Sequence, residues 1–422
     1  MLKLLRLILL GLLTALTLFG ILIILSFKYI DIKKDYLIYI YTIGVAIFEL
    51  SIITGSFFYY HDRKWKGNGY EPKISFIIPA HNEENNIYKT IGRCFEVEYS
   101  KDKIEVIVVN DGSTDNTWRE IQKAKENLDL GNKLIAINWE KNRGKKYAMA
   151  EAFKMAKGEI IVQLDSDSYI EKKSLRALVE PFKESDIGAV TAHTDPENKY
   201  ENLLTRIQAA YYFISFRASK ASESLFGTVF CCSGCCSAFR KEIILSILDE
   251  WLSEKFLSVP TPWDDDRSLT NFILISGYKT IYLCNVQAYT IVPNNLKQFI
   301  KQQIRWKKCW FVSSIKTCKF IFKKDKFVAM AYFYPLVLIT LLTPIVVFKA
   351  LVIDPLLFGI YPTFYIIGVF LITTLSTIHY IFFREDENWK YMFLWTIIEM
   401  TILPYVMIYA LADIKNPKWG TR

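Results

Sequence analysis

Glu105-Val106-Ile107-Val108-Val109-Asn110-Asp111-Gly112-Ser113 decides the fold. Four consecutive β-branched residues end in turn chemistry with a carboxylate at its centre. A short apolar run bounded in this way reads as a buried strand delivering a polar loop to one edge of a sheet. The same pattern recurs on either side. Ile74-Ser75-Phe76-Ile77-Ile78 ends at Pro79, residues 133–138 form a weaker version, and Glu159-Ile160-Ile161-Val162-Gln163-Leu164 ends at Asp165-Ser166-Asp167. Helical stretches are expected between them, at 116–128 and 147–157. Strands alternating with helices predict an α/β domain with a parallel-rich sheet and helices on both faces. Ligands of such sheets bind beyond the carboxyl ends of the strands, where these polar clusters fall. No Gly-x-Gly-x-x-Gly or Walker sequence follows a strand, which argues against a dinucleotide or ATP site.

The chain has 422 residues, 52% hydrophobic and 15% aromatic, enough for one sizeable globular domain and several membrane segments. The net charge is +9, and basic residues crowd just outside apolar runs, as in Lys323-Lys324-Asp325-Lys326. That placement reads as membrane topology. No basic stripe carries interleaved aromatics, so nucleic acid is not an expected partner. The eight Cys lack the spacing of a disulfide framework. Cys232 and Cys235 have no second Cys or His pair at ligand spacing, so reduced thiols of a cytosolic domain are expected rather than a zinc site.

Residues 4–27 and 36–60 are long apolar runs, each able to cross a bilayer. The first is too long for the core of a signal peptide. Lys3 and Arg6 before the pair, and Arg63, Lys64 and Lys66 after it, place both flanks in the cytoplasm. Residues 61–326 are then a cytosolic domain inserted between membrane helices. Apolar runs at 327–352, 355–383 and 392–412 follow. The last contains Glu399 and Pro404, so it either spans or forms an interfacial or re-entrant segment that leaves residues 413–422 in the cytosol.

Several clusters carry chemistry. Asp111 has two readings: part of a strand-ending turn with a helix cap, or an acceptor for the imide N–H of uracil. Asp165 and Asp167 bracket one residue at a strand end, a hard oxygen pair suited to Mg²⁺ or Mn²⁺ on a diphosphate. Lys145 stands in a loop before a helix, as a solvated basic turn or a phosphate contact. Residues 201–220 are amphipathic and aromatic, either a core helix or one lying at the membrane interface. Asp264-Asp265-Asp266-Arg267 offers carboxylates for deprotonating a hydroxyl. Gln302, Arg305 and Trp306 share one helical face at i, i+3, i+4, where an Arg can meet a pyrophosphate and a Trp can stack on a sugar.

These residues together resemble the processive, inverting family 2 glycosyltransferases, and among them the class I hyaluronan synthases. The likeness covers nearly the whole chain. It runs through Ile78-Pro79-Ala80-His81-Asn82-Glu83, Asn110-Asp111-Gly112-Ser113, Glu140-Lys141-Asn142-Arg143-Gly144-Lys145 and Asp165-Ser166-Asp167-Ser168. Asn202-Leu203-Leu204-Thr205-Arg206, Cys232-Ser233-Gly234 and Asp265-Asp266-Arg267-Ser268-Leu269-Thr270-Asn271 continue it. Gly277-Tyr278-Lys279-Thr280, Gln302-Gln303-Ile304-Arg305-Trp306 and the terminal Trp419-Gly420-Thr421-Arg422 complete it.

The resemblance implies a GT-A-type cytosolic domain with interface helices near 200–220 and 294–312, in a multi-pass plasma-membrane protein. It implies that Asp266 is the general base and Asp167 the ligand of Mg²⁺ or Mn²⁺. Pro79, His81, Glu83, Asp111, Lys145, Asp165, Gln302, Arg305 and Arg422 would bind the nucleotide sugar. Ser233, Gly234, Asp265, Arg267 and Trp306 would meet the acceptor. Partners would be UDP-sugars, the nascent polysaccharide and membrane lipids, with no obligatory protein partner. Three positions depart from the family pattern: His81 replaces a Tyr, Asp264 replaces a Gly, and Ser233-Gly234-Cys235-Cys236-Ser237 replaces Ser-Gly-Pro-Leu-Ser. The last lies where the acceptor end is expected, so it leaves the sugars open: hyaluronan, or another polymer such as a glucose–glucuronate or N-acetylglucosamine chain. A non-processive lipid-glycan transferase and a non-catalytic membrane scaffold are the competing classes.

Overall fold

The apolar runs become strands of one sheet, and the central ones are covered on both sides. The computed structural model describes residues 36–61, 69–128 and 130–416, with Trp65, Gly67 and scattered positions between 11 and 26. Most of the first expected span lies outside the described residues, as do Lys3, Arg6, Arg63, Lys64, Lys66 and the tail Trp419-Gly420-Thr421-Arg422.

In chain order the strands are β1 (Ile74–Ala80), β2 (Ile104–Asp111), β3 (Leu134–Trp139), β4 (Ile160–Gln163), β5 (Ser168–Ile170), β6 (Ile187–Pro196) and β7 (Ser237–Arg240). A short hairpin, β8 (Lys255–Phe256) and β9 (Val259–Pro260), precedes the long β10 (Lys279–Thr290). The main sheet has the order β3-β2-β1-β4-β7-β6-β10-β5. β1 lies parallel to β2 and β4, β2 parallel to β3, and β6 parallel to β10. β7 is antiparallel between β4 and β6, and β5 is antiparallel at the edge. The sheet is therefore mixed and parallel-rich, as expected.

Successive side chains of a strand point to opposite faces. Phe76, Ile78, Val106 and Val108 join Ile87, Ile91 and Ile121 in one core. Ile77, Ile107 and Val109 join Met149, Phe153 and Trp251 in the other. Both faces of β1 and β2 are thus dry, which explains runs with no polar alternation.

Helix limits differ from expectation in ways that bear on the site. The helix expected at 147–157 is Lys145–Met155, so Lys145 opens it. The Gln-Gln-Ile-Arg-Trp helix, expected near 294–312, runs over Leu296–Cys318. Asn295 caps it, its side chain accepting from the Gln298 N–H at 3.0 Å. Its later turns bury Val312, Ser313 and Thr317. The interface helix is α-helical over Leu203–Phe213 and continues as π-helix over Ile214–Lys220.

Among the described residues, four helices are long and apolar enough to cross a membrane: Tyr36–Tyr59, Lys326–Phe358, Tyr365–Phe383 and Glu387–Ala412. The fourth is broken into Met392–Thr401 and Leu403–Ala412, with Pro404 in the first turn of the second piece. Proline lacks the N–H and crowds the preceding turn, so the break falls there. Both ends of this segment touch the α/β domain. Just before it, Arg384 makes two hydrogen bonds to Asp195 of β6, at 2.7 and 2.9 Å. Just after it, Asp413 accepts from Lys308 at 2.5 Å. Tyr59, at the end of the first described membrane helix, donates to the Tyr282 carbonyl of β10 at 2.7 Å.

Candidate active site

Strand order reverses about β1, whose neighbours are β2 on one side and β4 on the other. A crevice at the carboxyl ends of these strands follows from that reversal. Pro79 and His81, Asp111, and Asp165-Ser166-Asp167 are delivered to it by β1, β2 and β4.

The wall made by β1 and β2 is tightly cross-linked. His81 Nδ1 lies 2.8 Å from the Asp111 carbonyl. The Asp111 carboxylate accepts from the backbone N–H groups of Arg143 at 2.6 Å and Gly144 at 2.9 Å. Asp111 therefore holds the loop that launches the Lys145 helix. Gly112, at φ +62°, lies so close to the Lys141–Asn142 backbone that a Cβ would come within 2.3 Å of the Asn142 nitrogen. The helix cap expected of this turn comes from Asp115, which accepts from the Thr117 N–H at 2.9 Å. Glu83 is buried, and its carboxylate accepts from the Asn86 side chain at 3.0 Å.

Lys145 is the centre of charge. Its Nζ sits 2.6 Å from Asp165 Oδ1 and 2.7 Å from Asp265 Oδ2, joining the β4 end to the triple-Asp segment. Burial alone would lower its pKa, but Asp165, Asp265 and Asp266 outweigh burial and hold it well above the ordinary lysine range. Asp265, expected on the acceptor side, is engaged by Lys145 and lies 3.9 Å from Arg305. Against the opposing effect of burial, these two cations keep its carboxyl below the usual range.

Asp266 opens the helix Asp266–Ile275 and is held by two donors. The Gly234 N–H reaches Oδ2 at 2.7 Å, and Gln163 Nε2 reaches Oδ1 at 3.3 Å. Burial, followed by the neighbouring Asp265, pushes its carboxyl up to about 7. A carboxylate so placed suits proton abstraction near neutral pH. Gly234 also accepts, through its carbonyl, the Asp165 N–H at 2.9 Å. A Cβ on Gly234 would lie 2.8 Å from Asp165 Oδ1 and 3.0 Å from Asp266 Oδ1, so a larger residue there would press on both carboxylates. Ser233 accepts from Lys220 of the π-helical segment at 3.2 Å.

Asp167 is pushed up to about 7 by burial and then by Asp165, which marks a crowded anionic pair. Among the described residues no group of three His, Cys, Asp or Glu could hold a metal ion. Asp165 and Asp167 are the pair of hard oxygen ligands that would hold a divalent cation, Mg²⁺ or Mn²⁺.

Gln302, Arg305 and Trp306 are half-buried, and Arg305 faces the cluster, 3.9 Å from Asp265. Trp306 packs against Tyr211 of the interface helix, ring centroids 6.3 Å apart, and Tyr211 stacks on Trp395 at 4.3 Å. Asp264 is buried away from the reacting side. It accepts from Ser313 of the Gln-Gln-Ile-Arg-Trp helix at 2.7 Å and from the Ser268 N–H at 3.2 Å. It joins two helices, so the departure from Gly at this position is structural. Arg267 follows Asp266 and is half-buried. The structure joins Lys145, Asp165, Gly234, Asp265, Asp266 and Arg305 directly and ties His81 and Asp111 to the loop that launches Lys145, whereas Glu83 pairs with Asn86 and Trp306 with Tyr211; Arg422 lies outside the described residues. Gln163 was missed because it closes an apolar run; a polar residue at a buried strand end was the available signal.

Residues 75–248 match the family described as glycosyl transferase family 2. The chain is 30% identical over 421 residues to a hyaluronan synthase of Streptococcus pyogenes serotype M6, covering 95% of this chain and 97% of the relative. The chain belongs to the hyaluronan-synthase-like family 2 glycosyltransferases. This glycosyltransferase is also 24% identical over 360 residues to an N-acetylglucosaminyltransferase of Azorhizobium caulinodans, with 83% and 87% of the two chains covered. In structure it is similar to a mannosyltransferase from Pyrobaculum calidifontis, solved in complex with GDP-Man and Mn²⁺. That likeness has a TM-score of 0.53 at 19% identity, covers 90% of this glycosyltransferase and 99% of the other chain, and shows the GT-A-like fold.

Proposed function

We propose that this glycosyltransferase is a membrane-embedded, inverting, processive polysaccharide synthase that uses UDP-sugars, with hyaluronan as its product. The observation that carries the reading is the convergence of Lys145, Asp165, Asp265, Asp266 and Arg305 on one crevice beside apolar helices. The curated relatives, named hyaluronan synthase and N-acetylglucosaminyltransferase, support the sugar-polymer reading.

In this mechanism Asp266, ionised and aimed by Gly234 and Gln163, takes the proton of an acceptor hydroxyl as that oxygen attacks the anomeric carbon. Lys145, Gln302 and Arg305 meet the charge that develops on the departing diphosphate. A divalent cation held by Asp167 and Asp165 would supply further neutralisation of that charge. Trp306, backed by Tyr211, presents a ring face to the acceptor sugar and lets the polymer slide. The anchoring of Glu387–Ala412 at both ends on the α/β domain supports an interfacial reading of that segment. Its tail would then stay on the catalytic side, within reach for Arg422.

Purified protein incubated with UDP-N-acetylglucosamine and UDP-glucuronic acid, singly and together, tests the product. Polymer only with both sugars, and its digestion by a hyaluronan-specific lyase, is the expected result. Polymer from one sugar alone would overturn the hyaluronan reading while leaving glycosyl transfer intact.

A further inference from the structure

Glu254 lies between the helix Lys241–Leu252 and the β8–β9 hairpin and touches none of the reacting groups. Its carboxylate is nevertheless the meeting point of three elements that carry the site. Oε2 is 3.2 Å from Lys146, the residue after Lys145 in the helix that Lys145 opens. Oε2 also accepts a hydrogen bond from Ser268, two residues after Asp266 on its helix. Oε1 is 2.8 Å from Lys316, which stands on the helix carrying Gln302, Arg305 and Trp306.

The groups are poorly accessible: side-chain exposure is 4% for Lys146, 10% for Glu254 and 22% for Lys316. Aromatic faces complete the node. Lys146 lies 4.9 Å from the Trp251 ring centroid, and Lys316 lies 3.2 Å from that of Phe272 on the Asp266 helix. A buried carboxylate shared by two ammonium groups is costly to break, because removing it strands both cations.

We propose that Glu254 is a positioning residue for glycosyl transfer, setting the mutual placement of Lys145, Asp266 and the Arg305–Trp306 face through Lys146, Ser268 and Lys316. The same elements also meet pairwise, through Lys145 with Asp265, Ser313 with Asp264, and Ser313 and Thr317 with Asn271. Glu254 touches all three at once, from outside the reacting groups. Small displacements of a nucleophile, base and leaving group relative to one another are expensive in rate. Loss of this node therefore misaligns acceptor and donor without removing any group that acts on them. Water, which needs no alignment by Trp306, then competes better for the donor.

The inference rests on the assignment of base and acceptor face given above. The test compares wild type, Glu254→Gln and Lys316→Met in detergent or nanodiscs, each first checked for a monodisperse profile. Total UDP release is measured against sugar incorporated into product. The expected result is a ratio of UDP released to sugar transferred that rises by about threefold or more in both variants. Lys316→Met keeps the Glu254–Lys146 pair, so it serves where Glu254→Gln fails to fold. A role in folding alone lowers both quantities together; an unchanged ratio in the folded variants overturns the proposal. Wild-type protein that releases UDP but incorporates no sugar would overturn the functional reading itself, a result distinguishable from either.

Discussion

At the scale of the residue, the site is defined by how charges are spaced rather than by how many there are. In the proposed mechanism Asp266 acts only when ionised, and burial has raised its carboxyl to about 7. Sugar transfer is therefore expected to rise as pH increases through about 7 and to fall about tenfold per pH unit below it, read as UDP release at saturating donor. Asp266→Asn keeps the shape and removes the base, and turnover is expected to fall by about 10²–10⁴-fold while UDP still binds in calorimetry. Unchanged turnover would remove Asp266 from the mechanism. Gly234→Ala forces a methyl group against Asp165 and Asp266 at once. A loss of about tenfold or more in turnover is expected, with the protein still folded, because the methyl group displaces the base. Sequence alone left Asp111 balanced between turn and ligand; its two backbone hydrogen bonds to Arg143 and Gly144 show the turn-holding part. No local pattern could reveal that, since the partners lie a helix and a strand away.

At the scale of the element, the strands were legible because a buried parallel strand has one physical solution, an unbroken apolar run with turn residues at its end. β1, β2 and β4 all obey it. The helix Leu296–Cys318 was legible except in its last turns, after residue 312. Its later turns bury Ser313 and Thr317 against the Asp266 helix through Asp264 and Asn271, and polar residues in such a contact look like surface in a sequence. The Gln-Gln-Ile-Arg-Trp face argues for separate duties along one helix. Trp306→Ala is expected to impair incorporation of sugar into long product several-fold more than hydrolysis of the donor, as measured by product sizing alongside UDP release. Equal loss of both would count against stacking on the acceptor. Stacked aromatics contribute about 0.5–1.5 kcal/mol beyond burial, enough for an effect of that size.

At the scale of the whole molecule, the ties between membrane helices and sheet were not legible at all. Nothing in the run 355–383 announces that the residue after it, Arg384, will meet Asp195 of β6. Such a pair is a long-range product of packing. Burial opposes the charge on Asp195, but His193 and Arg384 hold its carboxyl far below the ordinary range. The sign follows: a depressed carboxyl stabilises the fold above its unfolded pKa, and that stabilisation is lost as pH falls towards the folded value. Arg384→Ala leaves Asp195 buried without its main partner, and a loss of about 3–5 kcal/mol is expected. Thermal unfolding in detergent would show it as a lowered transition temperature at neutral pH; an unchanged transition would demote the pair to a surface contact. The paired anchoring also bears on geometry. The segment Glu387–Ala412 is tied near its start to Asp195 through Arg384 and just past its end to Lys308 through Asp413, so both its ends keep register with the catalytic domain. In the proposed synthase, it would act as a staple, holding the last apolar segment and the tail that follows it to the same body that carries the site.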